Sequence, residues 1–183
     1  VEGQNRVLGG FHESLSAKAL RSLHDLGIEV KLDCHVTAIT ADSVTVKPDR
    51  GKAEPYRIEA ATVVWGAGVK GSPLGKVLAA AAGVETDRGG RVPVNPDCSV
   101  GAHPNVFVVG DLAQFKGADG KPLPGLAPVA MQQGEYVAAA IVRRVKGESP
   151  GGAFHYRDKG AMATIGRAKA VAESAGFRFS GFP

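Results

Sequence analysis

An apolar run that ends in a glycine and a carboxylate is the feature of this sequence best suited to chemistry. Residues 105–109 read Asn-Val-Phe-Val-Val, and Gly110 and Asp111 follow directly. Such a run predicts a buried strand of an α/β sheet, and these sheets bind ligands at the carboxyl ends of their strands. Gly110 would let a ligand approach the backbone, and the Asp111 carboxylate can accept hydrogen bonds from sugar-like hydroxyls. The local pattern alone fits either a ligand site or an ordinary strand end.

A helix whose start has no capping side chain follows this strand. Its pattern runs from about Pro128 to about Lys146. Proline suits the first helical position, whereas the preceding Ala127 is a poor cap. Several amide donors there consequently lack a side-chain partner, and the helix dipole favours negative charge beside them. An acceptor atom of a ligand or water could cap this start.

Composition places the chain among globular proteins and excludes several classes. Its 183 residues suffice for one large or two small domains, with 44% hydrophobic and 22% charged residues. A net charge of +4 without a dense basic cluster argues against nucleic acid and fits anionic nucleotides or an anionic membrane surface. Cys34 and Cys98 are far apart, so we expect reduced thiols and no metal site. No apolar run is long enough to span a bilayer.

The elements that must position these residues follow from periodicity and turn residues. One helix is expected to be capped by Ser14 or Ser16 and to end near Leu26, and a second is expected over residues 73–82. The strands expected at 36–39, 43–46 and 56–58 form a small antiparallel meander with turns at 41–42 and 49–51. The strands expected at 161–165 and 168–172 form a hairpin that turns at 166–167. The expected strands are 28–32, 36–39, 43–46, 56–58, 61–65, 91–94, 161–165 and 168–172.

Three segments carry a resemblance to a known family: VFVVGDLA at 106–113, PLPGLAPVAMQQG at 122–134 and DKGAMATIGR at 158–167. In this order and spacing they are similar to type II NADH dehydrogenase, the single-subunit FAD-containing NADH:quinone oxidoreductase. The resemblance implies an α/β fold, part of a Rossmann-like flavoprotein with two dinucleotide-binding domains, a small antiparallel meander and a carboxy-terminal hairpin. It covers nearly the whole chain but only about half of the family.

The resemblance also implies a domain organisation. Residues 1–84 match the second half of the NADH-binding domain, 85–150 the carboxy-terminal part of the FAD-binding domain, and 151–183 a hairpin that leads into a membrane anchor. The chain begins without Met and ends on alternating aromatic residues. We therefore expect the family's glycine-rich phosphate loops before Val1 and its membrane-docking helices after Pro183. A chain without those loops is expected to bind FAD weakly or not at all and to show no turnover.

The same resemblance implies which residues hold FAD. Asp111 would bind the ribitol, with Gly110 allowing close approach. Amides and the helix dipole at the helix start would stabilise negative charge on the flavin. The backbone positions that would face the pyrimidine edge of the flavin are Leu126, Ala127, Pro128 and Val129.

Residues nearer the amino terminus would bind NADH. Glu2 matches the acidic residue that holds the adenosine ribose, and its charge would repel the 2′-phosphate of NADPH. Gly66, Ala67 and Gly68 would let the nicotinamide half lie against the backbone. A solvated end residue and an ordinary turn remain the plain alternatives.

The catalytic candidates on the quinone side are Gln132 and Lys159. The family often has two glutamines spaced four apart, of which Gln132 matches the second while Pro128 occupies the first. Lys159 would supply a cation or a proton donor near the quinone, or is simply a surface lysine in a turn.

The implied reaction is hydride transfer from NADH to FAD followed by reduction of a membrane quinone. The parent protein would lie on the cytoplasmic face of the inner membrane as a peripheral protein, with a homodimer left open. One alternative is a sulfide:quinone or ferredoxin-type reductase, although Cys34 and Cys98 sit in the wrong places for redox cysteines. Another is a non-enzymatic NADH-sensing module, which Pro128 in place of a glutamine favours.

Overall fold

The fold is described from a computed structural model that covers residues 1–49, 53–149 and 151–182. The predicted turn at 49–51 lies partly outside the described residues. The helices are α1 (Glu13–Asp25), α2 (Pro73–Ala81) and α3 (Ala127–Val145). The strands are β1 (Cys34–Ile39), β2 (Ser43–Pro48), β3 (Tyr56–Glu59), β4 (Val92–Pro93), β5 (Ser99–Val100), β6 (His103–Phe107), β7 (Ala113–Gln114), β8 (Ala161–Ile165), β9 (Lys169–Ser174) and β10 (Phe177–Gly181).

The chain folds into two compact units, which are described separately. One unit combines residues 1–65 with residues 159–183, and the other comprises residues 66–158. The predicted division into NADH-binding and FAD-binding segments was based on which ligand each segment binds, and it stays a prediction. Within 1–49, 53–149 and 151–182, no helix has both the length and the apolar character needed to cross a bilayer.

Helix α1 packs one apolar stripe against the carboxy-terminal sheet of its unit. Leu15 and Ala19, four residues apart, are buried against Ile165 of β8 and Val171 of β9. The helix ends at the predicted place, because Gly27 adopts a φ of +77° that favours glycine.

The cap of α1 differs from the prediction of Ser14 or Ser16. His12 is the N-cap, and its Nδ1 accepts a hydrogen bond from the backbone N–H of Ser14 at 3.2 Å. Ser16 instead lies one turn inside the helix, where its buried hydroxyl donates to the carbonyl of Leu8 at 3.2 Å.

Two antiparallel sheets complete this unit. Strands β1, β2 and β3 form the predicted meander, whose core consists of Cys34, Val44 and Val46. Strands β8 and β9 form the predicted hairpin, and β10 adds a third strand that the sequence pattern did not predict. In β10, Phe179 pairs with Ala172, and the alternating aromatic residues are exposed.

The second unit contains α2, α3 and two pairs of short strands. Strands β4 and β7 pair in parallel, and β5 and β6 pair antiparallel. Helix α2 is capped by the side chain of Ser72 and packs Ala79 against the buried Val92 of β4. Beside α3, Phe115 and Phe154 meet edge to face with ring centroids 5.3 Å apart.

Two predicted strands are absent. Residues 28–32 form no strand, although Glu2 donates its backbone N–H to the carbonyl of Lys31 at 2.8 Å. Residues 61–65 also form no strand, and Val64 is 88% exposed and Trp65 60% exposed. No other described segment pairs with residues 61–65, and all five are exposed, so their predicted burial was wrong.

The strand expected at residues 105–109 is only partly as predicted. Strand β6 begins earlier, at His103, and ends at Phe107. Within residues 105–109, the buried side chain is that of Val108, which lies just after the strand. Among the described residues β6 pairs only with β5, so one of its edges and most of its side chains remain exposed. The predicted place of the strand end is nevertheless close to the observed one.

Candidate functional site

The turn after β6 is held tightly against α3. Gly110 has a φ of +67° and begins a short 3₁₀ turn over Gly110–Leu112. A Cβ atom on Gly110 would lie 3.1 Å from the Cβ of Ala130 in α3. Glycine was expected here to admit a ligand, but within this chain the close neighbour is the helix.

A buried glutamine on α3 also fixes this turn. Gln133 is 1% exposed, and its Oε1 accepts a hydrogen bond from the backbone N–H of Gly110 at 2.7 Å. The sequence interpretation did not assign Gln133 any role. A polar residue on the apolar stripe of α3, between Val129 and Val137, was the signal that could have identified it.

Asp111 follows directly and presents its carboxylate to solvent. It accepts no hydrogen bond from the part of the chain that the structure describes, so both oxygens are available to a ligand. Its Oδ1 lies 3.2 Å from where a Cβ on Gly125 would be, which places the carboxylate beside the segment that enters α3.

Asp111 and the start of α3 line one small pocket. Gly125, Val129, Gln133 and Arg91 contribute to the same walls. Its volume is about 10 Å³, which is room for about one water and not for a flavin ring. A larger ligand would therefore lie outside this pocket, where Asp111 and Leu126 are exposed.

The start of α3 lacks a capping side chain, as predicted. Leu126 is the N-cap and makes no side-chain cap hydrogen bond. The backbone satisfies more donors than expected, because Val129 and Ala130 both donate to the Leu126 carbonyl. Pro128 has no N–H, and Leu126 donates to Pro124. Among the described residues, this leaves the Ala127 N–H as the free donor at the positive end of the helix dipole.

This donor set fits part of a flavin nucleotide. An unpaired carboxylate suits the hydroxyls of a ribitol chain, and a free amide at a helix N-terminus suits an electron-rich carbonyl or ring nitrogen. Asp111 and Gly125 line the same small pocket as Val129, which lies in the first turn of α3 two residues after Ala127. Of the residues that were predicted to bind FAD, Gly110, Asp111 and Val129 line this pocket, and Leu126, Ala127 and Pro128 directly precede Val129 in the chain. Their role in binding FAD stays a prediction.

Arg91 is a further charged residue that lines this pocket, and the sequence pattern did not single it out. Its Nε donates to Asp87 Oδ2 at 2.7 Å, and its backbone N–H donates to Asp87 Oδ1 at 2.9 Å. Burial tends to raise the pKa of Asp87, but the hydrogen bonds from Arg91 and Gly89 hold that pKa below its usual range. The ion pair therefore fixes Arg91 beside the pocket.

The residues predicted to bind NADH lie on exposed or half-buried backbone. Glu2, in the unit of residues 1–65 and 159–183, accepts the N–H of Gln4 on Oε1 at 2.9 Å. Gly66, Ala67 and Gly68 are exposed, and a Cβ on either glycine would meet nothing within 4 Å. This segment leaves room for a ligand but shows no contact that assigns one.

Residues 66–71 also spell Gly-x-Gly-x-x-Gly, a match that the sequence interpretation overlooked. Here the third glycine has a packing role, because a Cβ on Gly71 would lie 2.5 Å from the carbonyl oxygen of Gly90. The following helix, α2, is already capped by Ser72, whose hydroxyl accepts from the Leu74 N–H. Close backbone packing therefore accounts for Gly71, whereas Gly66 and Gly68 have no close neighbour among the described residues.

The two catalytic candidates have different surroundings. The Gln132 amide donates to the Arg157 carbonyl and accepts from the Arg157 N–H, both at 3.0 Å. One N–H and one lone pair of this amide remain for a ligand. Lys159 is exposed in the other unit, where its carbonyl accepts from the Ser174 hydroxyl at 2.9 Å. Their roles on the quinone side stay predictions.

Both cysteines are buried thiols that form no disulfide. Burial raises the pKa of Cys98 to about 12, and the nearby Asp97 carboxylate adds to this rise. Cys98 is therefore a poor nucleophile and a structural residue of the core around Phe115.

Comparison with known proteins agrees with the motifs. Residues 1–134 match the family model described as pyridine nucleotide-disulphide oxidoreductase. The chain is 43% identical over 178 residues to a type II NADH:quinone oxidoreductase of Mycobacterium tuberculosis, covering 96% of this chain and 37% of that protein. It is 35% identical to the type II NADH:quinone oxidoreductase of Staphylococcus aureus, covering 91% of this chain and 39% of that protein.

A solved structure shows the same fold. The structure of NDH2 from Plasmodium falciparum in complex with NADH matches with a TM-score of 0.87 at 16% identity, covering 98% of this chain and 50% of that one. The predicted fold class and the resemblance to type II NADH dehydrogenase are confirmed, and the chain spans less than half the length of the curated relatives it matches. The chain belongs to the pyridine nucleotide-disulphide oxidoreductase family.

Proposed function

We propose that this chain is part of a type II NADH:quinone oxidoreductase and contributes the ribitol-binding and pyrimidine-facing side of its FAD site. The observation that carries the proposal is that Asp111, whose carboxylate has no hydrogen-bond partner among the described residues, lines one pocket with Val129 in the first turn of α3. The first N–H of that helix, from Ala127, is also free among the described residues. The 43% identity to the enzyme of Mycobacterium tuberculosis supports the same assignment. The bound FAD would supply hydride acceptance from NADH and electron transfer to a quinone.

The residues of this chain would bind and orient rather than react. Asp111 would accept hydrogen bonds from the ribitol hydroxyls. The Ala127 N–H and the dipole of α3 would face the pyrimidine edge, where fixed dipoles stabilise negative charge without reorganising. Glu2 would hold the adenosine ribose of NADH, and residues 66–68 would lie beside its nicotinamide half.

The quinone side of the proposal rests on Gln132 and Lys159. The remaining N–H of the Gln132 amide could donate to a quinone oxygen without breaking its bonds to Arg157. Lys159 would offer a cation or a proton donor. Pro128 cannot replace the glutamine that the family often has at its position, so any contact made by that glutamine must come from elsewhere. Peripheral attachment to the cytoplasmic face of the inner membrane, and a homodimer, belong to the same proposal.

The test uses the purified full-length protein with NADH, NADPH and the short-chain quinone ubiquinone-1. We expect bound flavin, visible by its absorbance, and quinone reduction that prefers NADH. Asp111→Ala is expected to lower the flavin content and the activity. Glu135→Ala removes an exposed carboxylate of α3 that does not line the pocket, so it is the matched control and is expected to keep both the flavin content and the activity.

The outcomes separate the alternatives. Absence of NADH oxidation with every acceptor would overturn the proposal. Reduction of a soluble one-electron acceptor without quinone reduction would favour the NADH-sensing module, which Pro128 in place of a glutamine supports. Quinone reduction driven by sulfide would favour a sulfide:quinone reductase. The buried Cys98 argues against this alternative, because its raised pKa makes it a poor redox cysteine.

A further inference from the structure

We propose that Gln133 is a positioning residue for FAD binding and acts through Asp111. Its side chain holds the Gly110 N–H and so sets the direction of the neighbouring carboxylate. This inference rests on the proposed function, because it assumes that Asp111 binds the ribitol.

The geometry connects the two residues through a single peptide unit. Gln133 Oε1 accepts from the Gly110 N–H at 2.7 Å, and Asp111 is the next residue along the chain. Gly110 has a φ of +67°, and its α-carbon faces the Ala130 Cβ. The turn is thus fixed by one hydrogen bond and one steric contact, both provided by α3.

The position of Gln133 is otherwise suited to an apolar side chain. It lies four residues after Val129 and four before Val137, both buried on the same stripe of α3. A buried amide in such a place is unfavourable unless it is hydrogen-bonded. Its acceptor oxygen is used for Gly110, and its side chain lines the same pocket as Asp111. Packing alone would be served as well by methionine.

An exposed residue of the same helix provides the control. Glu135 lies two positions after Gln133 in α3, is exposed and does not line the pocket of Asp111. Glutamine, glutamate and methionine have similar helix propensities, so Gln133→Met and Glu135→Met both place methionine in α3 at little cost in propensity. Only the change at position 133 removes the bond to Gly110.

The experiment measures FAD affinity of the full-length apoprotein by quenching of flavin fluorescence. Gln133→Met is expected to bind FAD about tenfold more weakly, since an unpaired N–H lets the turn move. Glu135→Met is expected to change the affinity by less than about twofold, within the ordinary spread for a surface change. In an Asp111→Ala background, Gln133→Met is expected to add no further loss, because its effect passes through the missing carboxylate.

The possible results are distinguishable. Unchanged FAD affinity in Gln133→Met, or the same additional loss in the Asp111→Ala background, would overturn the inference. Absence of FAD binding by the unsubstituted protein would instead overturn the proposed function. Should Gln133→Met fail to fold, the deciding measurement is hydrogen exchange of the Gly110 amide in the unsubstituted protein and in Gln133→Glu, which keeps an acceptor at this position. Slow exchange of this amide in both proteins supports the inference. Fast exchange of this amide in both proteins refutes it.

Discussion

Replacing Gly110 by alanine tests how closely the ligand-site turn is held against α3. The substitution has two costs that can be separated. At a φ of +67°, an alanine is strained by about 1–2 kcal/mol relative to glycine. Its Cβ would also lie 3.1 Å from the Cβ of Ala130, closer than the ordinary contact range of 3.4–4 Å. Forcing a methyl group into such packing costs roughly 1–3 kcal/mol.

Gly120 provides the control for the first of these costs. It has a φ of +75°, and a Cβ there would meet nothing within 4 Å. Gly120→Ala therefore carries the strain alone and is expected to lower the free energy of unfolding by about 1–2 kcal/mol. Gly110→Ala is expected to lower it by about 2–5 kcal/mol, the sum of strain and contact. The smaller conformational entropy of unfolded alanine offsets both values equally.

The assay is urea denaturation of the 183-residue chain followed by circular dichroism. Adding Ala130→Gly removes the atom that the new methyl group would meet, although glycine itself costs about 1 kcal/mol inside a helix. We therefore expect the double variant to be more stable than the sum of the two single changes predicts. If Gly110→Ala costs no more than Gly120→Ala, or if the two changes simply add, α3 does not restrain this turn.

Three further predictions concern the rest of the described chain. Burial opposes ionisation of Asp87, but its hydrogen bonds from Arg91 keep its folded pKa below the ordinary 3.8. The stabilising contribution of the ionised Asp87 is thus complete above a pH of 3.8 and is lost as pH falls through the folded pKa. Asp87→Asn is therefore expected to flatten the decline of the urea midpoint between about pH 4 and pH 2, and an unchanged slope would contradict this. Because burial raises its pKa to about 12, Cys98 is expected to resist iodoacetamide in the folded chain and to react after unfolding in urea, as read by mass spectrometry of the labelled peptides. Gly160→Ala is expected to disrupt pairing of β8 with β9, since at a φ of +94° its Cβ would collide with the β9 backbone, whereas Gly176→Ala, at +83° in open space, is expected to preserve the amide protection of both strands.

The helices were the elements best predicted from the sequence. Each has a continuous 3.6-residue pattern and a local stop signal, such as Gly27 after α1 and Gly83 after α2. Caps were less predictable, because a histidine can replace serine wherever its ring nitrogen reaches the first free amides, as His12 does. The meander and the final hairpin were also predicted, since their pairing partners are neighbours in sequence.

Strands whose partners lie far away in sequence were not predictable in the same way. Residues 61–65 have the composition of a buried strand, but burial depends on what packs beside them and not on their own pattern. The candidate site shows the same division. Asp111 could be identified because it ends an apolar run, whereas Gln133 and Arg91 become relevant only once the fold places them beside Gly110 and Asp111.

The three contacts that define the candidate site all come from one face of α3. The free N–H of Ala127, the methyl group of Ala130 and the amide of Gln133 are spaced three residues apart, so they follow one another along the helix surface. Ala130 and Gln133 hold Gly110, and the Ala127 N–H lies at the positive end of the helix dipole. The distance between the Asp111 carboxylate and the positive end of the dipole is therefore set by the register of α3 against the turn. An insertion between Ala127 and Gln133 would change that register, because it would rotate the amide of Gln133 away from Gly110.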